Sequence, residues 1–583
     1  MTLTLPTRRL VLGGAILTAG ALGLAAALSP ALEPAAKGKV AQPVPFGKPG
    51  EHPMFGGGPG RNMVNLTGKF APTVLATLDT ENKIVPAEGV AIKWHADLGS
   101  RAYGGPVVAG GKVLVGTNNE QPRNPRDTLK NADGEVEPID KGVLMCFDEA
   151  TGKLLWQAIH DKLPGGLVTD WPKEGVCSTP VVEGNRAYYV SNQCRVVCLD
   201  MNGMANGNQG PITDEPYHTP TDADKIWELD MLGSLGVFPH NMSACSPLLV
   251  GDILYAVTSN GVDEGHINIP APQAPSFLAI DKHSGKVLWK RDDPGRNIMH
   301  GQWSNPSYGV IAGVRQVIFP GGDGYLRGFT PETGELLWKF DCNPKHSKYE
   351  LGGTGTRSDF IGTPVVYDGK VYIGVGQDPE HFSGVGHFWC IDPSKATKPG
   401  QDLSPKNDNF DPKATENKDS GLVWHYGGED KRKFVPRDFV FGRTMSTACI
   451  VDDVVYISEL QGYLHCLDAK TGKKYWQYDL KGAIWGSPYY VDGKVYLATE
   501  GGELFCFKHE KRPKVIDDLD VPDAKDARDY NAKRRAKRAE VEKEYLLGKS
   551  EFDAAIRSTP TVVNGVMFVM TEKALYALEG KKK

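Results

Sequence analysis

Apolar and polar residues alternate at a period of two along most of the chain, as in Lys370-Val371-Tyr372-Ile373-Gly374 and Lys494-Val495-Tyr496-Leu497-Ala498. That is the spacing of strands with one buried face, not of helices. The strands carry a repeat: one ends in Asp, a Thr-Gly or Ser-Gly turn follows, and the next strand carries a Trp. Asp148-Glu149-Ala150-Thr151-Gly152 leads to Trp156, Asp281-Lys282-His283-Ser284-Gly285 to Trp289, Thr330-Pro331-Glu332-Thr333-Gly334 to Trp338, and Asp468-Ala469-Lys470-Thr471-Gly472 to Trp476. Looser copies place Trp227 after Asp200 and Trp424 after Asp392. Gly supplies the positive φ of the turn, and Asp or Thr can bond the local backbone. The Trp is expected to wedge against a neighbouring sheet while its N–H finds a carbonyl.

A second motif, small residues then Pro then β-branched or aromatic residues, opens each unit. It stands at Gly105-Pro106, Thr179-Pro180, Ser246-Pro247, Asn305-Pro306, Thr363-Pro364, Thr447-Ala448, Ser487-Pro488 and Thr559-Pro560. Eight units predict an all-β, eight-bladed β-propeller of four-stranded antiparallel blades over 92–583. The eighth unit runs out at Gly580 after three strands. Its missing fourth matches Ile92-Lys93-Trp94-His95-Ala96-Asp97. Pairing that segment with the last blade closes the ring and removes the open sheet edges. Trp94 is therefore expected beside the strand around Tyr576.

Insertions are expected at roughly 118–141, 201–225, 393–420 and 509–553, by subtraction of the core repeat. The last holds Ala524–Lys549, rich in Ala, Lys, Arg and Glu, with no Gly or Pro before Gly548. It predicts a short charged helix, with Arg538 and Glu542 paired at i,i+4 and with Val541, Tyr545 and Leu546 docking its end. The insertions are the places where protein partners would attach.

A formal net charge of −5 gives no electrostatic case for nucleic acid. Residues 1–31 read as an export signal of twin-arginine type: Thr7-Arg8-Arg9, an apolar run from Leu10 to Leu28, then Ser29-Pro30-Ala31. An uncleaved anchor is the other reading of the same run. Membrane contact is expected only there. Residues 32–91 read as an extended arm.

The motif Ala-x-Asp-x-x-Thr-Gly-x-x-x-Trp resembles the tryptophan-docking repeat of propellers of the pyrroloquinoline-quinone (PQQ) type. That family includes quinoprotein dehydrogenases and the outer-membrane assembly factor BamB, and the segments Gly374–His381 and Gly386–Asp392 of this chain also resemble bacterial proteins described as PQQ-binding-like. The resemblance implies the propeller fold, a periplasmic or cell-envelope location, and two different functions. Quinoprotein dehydrogenases hold PQQ at the channel mouth with calcium, a catalytic aspartate and a disulfide between adjacent cysteines. None of the ten cysteines here is adjacent to another, and no Cys-x-x-Cys-His occurs. Cys146, Cys198, Cys390, Cys466 and Cys506 instead share one slot, two residues before the repeat's Asp position, which Ala279, Gly328 and Ala577 fill in other units. There cysteine acts as a small hydrophobe.

Alignment on the eight prolines places Tyr103, Trp303, Trp485 and Arg557 three residues earlier, and Arg101, Asp359 and Arg443 five residues earlier. These positions are expected to ring one mouth of the channel. Arg101, Trp303, Arg443, Trp485 and Arg557 could take a planar anion such as a quinone carboxylate, with Asp359 as the catalytic aspartate if the chain were a quinoprotein. Asn118-Asn119-Glu120 and the acidic loop Asp133–Asp140 could offer calcium ligands, but a solvated loop needs no ion. His266, His381 and His387 lie on different loops without zinc spacing, so no metal site is expected. Three readings follow: a non-catalytic envelope scaffold resembling BamB, a PQQ- and calcium-dependent alcohol or sugar dehydrogenase, and a small-ligand-binding propeller. The missing cysteine pair favours the first.

Overall fold

The computed structural model describes residues 46–352, 355–377, 384–405, 417–435, 437–516 and 524–581. The export signal expected at 1–31, together with His381, lies outside them. The described residues belong to one compact unit, Val40–Lys583.

Eight antiparallel blades follow one another along the chain: blade 1 (107–161), blade 2 (181–230), blade 3 (248–291), blade 4 (307–341), blade 5 (365–427), blade 6 (449–479), blade 7 (489–551) and blade 8 (561–580). Blade 8 takes its fourth strand from Val90–Asp97, with Ala577 opposite Trp94 and Tyr576 opposite His95. The ring is closed as the repeat implied. Short parallel segments add a fifth strand to two blades: Val64–Asn65 on blade 7 and Gln401–Asp402 on blade 4.

The repeat residues form the joints between blades. The indole N–H groups of Trp94, Trp156, Trp227, Trp289 and Trp424 donate to Glu149, Met201, Lys282, Pro331 and Ala469 carbonyls of the next blade, at 2.8–3.0 Å. Trp338 departs from this and donates to Gln316 Oε1 at 2.6 Å. The small-residue slot lies directly across the sheet from the Trp: Cys146, Cys198, Ala279, Gly328, Cys390, Cys466 and Ala577 each face one. Cys506 faces Gly548, because blade 7 carries no Trp there. All ten cysteines are free and buried, and burial pushes the thiols of Cys198, Cys390 and Cys506 up to about 12.

Turns after the first and third strands of each blade lie on one face of the disc, here called the Thr-Gly face. Connections after the second and fourth strands lie on the other, the mouth face. The insertions at 201–223, 392–421 and 509–545 follow third strands, and 119–140 follows a second strand. The helix runs Ala527–Tyr545, shorter than its composition suggested, because Leu546–Glu551 pairs with Glu503–Lys508 as the outer strand of blade 7. Its Val541 and Tyr545 are buried, Tyr545 stacks on Trp476 at 5.0 Å, and Arg538 lies 3.7 Å from Glu542. No helix of the described residues is long and apolar enough to cross a membrane.

Candidate functional site

The small-residue motif before each proline builds the wall of the channel. A side chain from one blade accepts from the backbone of the blade before it: Thr179 Oγ1 from Gly105 N (2.9 Å), Ser246 Oγ from Thr179 N (3.0 Å), Asn305 Oδ1 from Ser246 N (2.6 Å). Asn305 Nδ2 donates to Thr363 Oγ1, and the series continues through Thr447, Ser487 and Thr559. The result is a belt of side-chain hydrogen bonds joining successive blades.

Below the belt the channel is filled by the chain itself. Residues 52–65 touch every blade. His52 pairs with Val108 of blade 1, and the Pro53, Pro59 and Gly60 carbonyls accept from Val182, Tyr308 and Val366 of blades 2, 4 and 5. Asn62 bonds Ile450 of blade 6, the Met63 carbonyl accepts from Tyr490 of blade 7, and Asn65 donates to Val562 of blade 8. Arg61, fully buried, donates to the Phe55, Ser246, Pro247 and Pro306 carbonyls at 2.9–3.0 Å, which brings in blade 3. Between this plug and the belt remains a cavity of ≈ 10 Å³ lined by residues including His52, Phe55, Met63, Thr179 and Tyr489, about the room one water needs. Nothing in the sequence marked residues 52–65 as a plug, because they have no strand period.

Above the belt, the mouth residues separate into three groups. Arg101, Trp485 and Arg557 come together where blades 7, 8 and 1 meet. Arg557 pairs with Glu500 and Glu572, and its guanidinium lies 5.3 Å from the Trp485 ring and 5.7 Å from the Tyr103 ring. Arg101 Nη1 is 2.9 Å from Glu572 Oε1, and its Nε is 3.9 Å from Glu174. Trp485 donates to Glu500 at 3.1 Å. Burial works upward on the Glu500 carboxyl, but the bonds from Arg557 and Trp485 prevail and hold it below its ordinary value. Burial and Glu174 push the Tyr103 hydroxyl far up, so it stays protonated. At this junction Arg101 and Arg557 are balanced by Glu174, Glu500 and Glu572. Glu500 and Glu572 were legible in another register, since both follow a Thr just after the second strand (Thr499-Glu500, Thr571-Glu572).

In the second group Arg443 bonds Gln377 and lies over Gly376, whose N–H donates to the carbonyl of buried Asp359 at 3.3 Å. In the third, Trp303 donates to the His240 carbonyl at 3.1 Å and packs edge-on to His300, with ring centroids 5.0 Å apart. His266 joins them. His387, by contrast, sits in blade 5 with Nδ1 3.0 Å from His425 Nε2.

Two of the three cations that a quinone carboxylate could meet, Arg101 and Arg557, already face carboxylates of the chain, while Arg443 bonds the Gln377 amide, and the three glutamates do not gather as a calcium site. Among the described residues, the one group of His, Cys, Asp or Glu side chains whose ligand atoms all lie within 4.8 Å is His240, His266 and His300.

The model of the family described as outer membrane protein assembly factor BamB matches residues 83–264, 140–385 and 413–512. The quinoprotein ethanol dehydrogenase of Pseudomonas putida is 32% identical over 127 residues, 21% of this chain and 16% of that protein. The dehydrogenase subunit of a quinone-linked alcohol dehydrogenase from Gluconobacter oxydans is 27% identical over 173 residues, 29% of this chain and 20% of that one. The chain therefore spans a fifth or less of the length of these curated relatives. Among solved structures, BamB from Moraxella catarrhalis superposes with a TM-score of 0.45 at 13% identity, covering 85% of this chain and 98% of that one. The quinohemoprotein alcohol dehydrogenase from Comamonas testosteroni gives 0.42 at 10% identity, covering 92% and 81%.

Proposed function

Because the chain belongs to the family of the outer membrane protein assembly factor BamB, a PQQ-type propeller, we propose that it is an exported cell-envelope scaffold that binds protein partners and catalyses nothing. The observation that carries this reading is the pairing of two of the three mouth arginines, Arg101 and Arg557, with Glu174, Glu500 and Glu572. A guanidinium already held by two carboxylates has little attraction left for an anionic cofactor, because binding it first requires breaking charge-assisted bonds. The insertions supply the partner surface. Three of the four leave from the Thr-Gly face, and the helix Ala527–Tyr545 presents Arg528, Arg535 and Lys543 to solvent while its apolar side is spent on the propeller.

The similarity to quinoprotein ethanol dehydrogenases over 127 residues supports the second reading, a PQQ-dependent dehydrogenase. Titration of the purified protein with PQQ and calcium, followed by visible absorbance, separates the two. The scaffold reading expects no saturable binding and no dye-linked oxidation of alcohols or sugars. Stoichiometric PQQ uptake with alcohol oxidation would overturn it.

A further inference from the structure

Three histidines from three separate segments converge on the mouth face beside blade 3. His240 lies in the connection from blade 2 to blade 3, His300 in the connection from blade 3 to blade 4, and His266 in the long loop between the second and third strands of blade 3. His266 Nε2 stands 3.1 Å from His240 Nε2 and 3.1 Å from His300 Nε2. His240 and His300 are buried and His266 half-buried.

The protons decide what this geometry means. His240 Nδ1 is 2.8 Å from the Val262 carbonyl, which can only accept, so Nδ1 carries the proton. In the neutral ring, Nε2 of His240 then presents a lone pair toward His266. His266 Nε2 has either one proton or one lone pair, in the ring plane, to offer two neighbours. If it donates to His240, it has no lone pair to accept from His300. If it accepts from His300, its lone pair faces that of His240. No neutral arrangement makes both 3.1 Å contacts good hydrogen bonds. A single cation set among the three nitrogens satisfies all three lone pairs at once. Nitrogens about 2.0–2.1 Å from a tetrahedral zinc lie roughly 3.4 Å apart, close to the spacing found here.

We propose that His240, His266 and His300 bind one divalent transition-metal ion of the zinc type. An all-imidazole set selects zinc, copper or nickel over calcium or magnesium, which prefer oxygen. The surrounding chain holds the ligands in place. Val262 N donates to the His300 carbonyl, Trp303 donates to the His240 carbonyl, and Asp263 ties the loop that presents His266 through Ile267 and Asn268. Gly261 lies where a Cβ would meet His240 Cβ at 2.5 Å, so its lack of a side chain lets the two segments approach. The carbonyl bond on His240 Nδ1 is the orienting partner that metal-bound imidazoles usually have.

The test uses the full chain, dialysed against chelator and then titrated with Zn2+ by calorimetry and with Co2+ by visible absorbance. One ion per chain is expected, with d–d bands characteristic of low-coordinate Co2+ and a rise in Tm that chelator reverses. His266→Ala, at the half-buried position, is expected to weaken Zn2+ binding at least about 100-fold and to abolish the Co2+ bands while the protein still unfolds cooperatively. His283→Ala, an exposed histidine of the same blade, leaves both readouts unchanged. Failure of the wild type to take up Zn2+ or Co2+ at micromolar concentration would overturn the proposal, as would uptake that His266→Ala leaves intact.

Discussion

At the scale of the residue, the turn glycines do two things at once. Gly152, Gly285, Gly334 and Gly472 have φ of 67–71°, the left-handed region where a side chain is costly. The docking Trp of the preceding blade also covers each of them: a Cβ on Gly472 would stand 2.6 Å from the Trp424 ring. Gly472→Ala is therefore expected to cost about 3 kcal/mol, from backbone strain together with displacement of the indole, read as a lower denaturant midpoint. An effect within about 0.5 kcal/mol would mean that the indole is not seated there. Buried histidines make a second residue-level prediction. Burial pulls His160 and His387 down to about 4 from the ordinary 6.5. Below pH 6.5 the unfolded chain takes up protons that the folded one refuses, so stability falls as pH drops from 6.5 to 4 and this contribution then levels off. Each is worth about 3 kcal/mol across that window. The denaturant midpoint at pH 5 should lie clearly below that at pH 7, and equal midpoints would contradict it.

At the scale of the element, blades are joined by two devices at different radii. The indole bonds lie toward the outside of the ring and the Ser/Thr/Asn belt lies around the channel. Both repeats are visible in the sequence because each joint must be made again at every blade, and repetition is what a sequence displays. The exceptions are equally informative. Blade 7 has Gly548 where others have Trp, and the helix before it supplies Tyr545 to stack on Trp476 instead. The helix was evident from composition, but its end was not. Leu546–Glu551 has little apolar alternation, and only pairing with Glu503–Lys508 makes it a strand.

At the scale of the whole molecule, the ring is locked from two directions by the N-terminal part of the chain. Val90–Asp97 closes blade 8, and residues 52–65 bind all eight blades from inside the channel. Arg61 is the tightest point of that lock. Its guanidinium holds carbonyls from blades 3 and 4 and from the plug itself. Arg61→Met would leave those carbonyls buried without their donors, at a cost of about 3 kcal/mol. We expect a lower denaturant midpoint together with faster proteolysis of the N-terminal segment. Unchanged stability would show that the plug is not integral to the folded ring.

The amino-acid sequence alone determined the architecture: eight blades, the Trp joints, the small-residue slot and the closing strand. The blades, joints and slot are local patterns repeated around the ring under the same steric demand, and the closing strand completes the one unit that lacks its fourth strand. It also pointed to Arg101, Trp303, Arg443, Trp485 and Arg557 as candidate mouth residues, from their place before the repeated prolines. Only the tertiary structure decided their electrostatics and the rest of the mouth. Glu174, Glu500 and Glu572 reach the arginines from neighbouring loops, and His240, His266 and His300 meet from segments far apart in the chain. The physical reason is that a charge or a ligand acts over a few ångströms in space, and ring closure sets those distances without leaving any periodic trace along the chain.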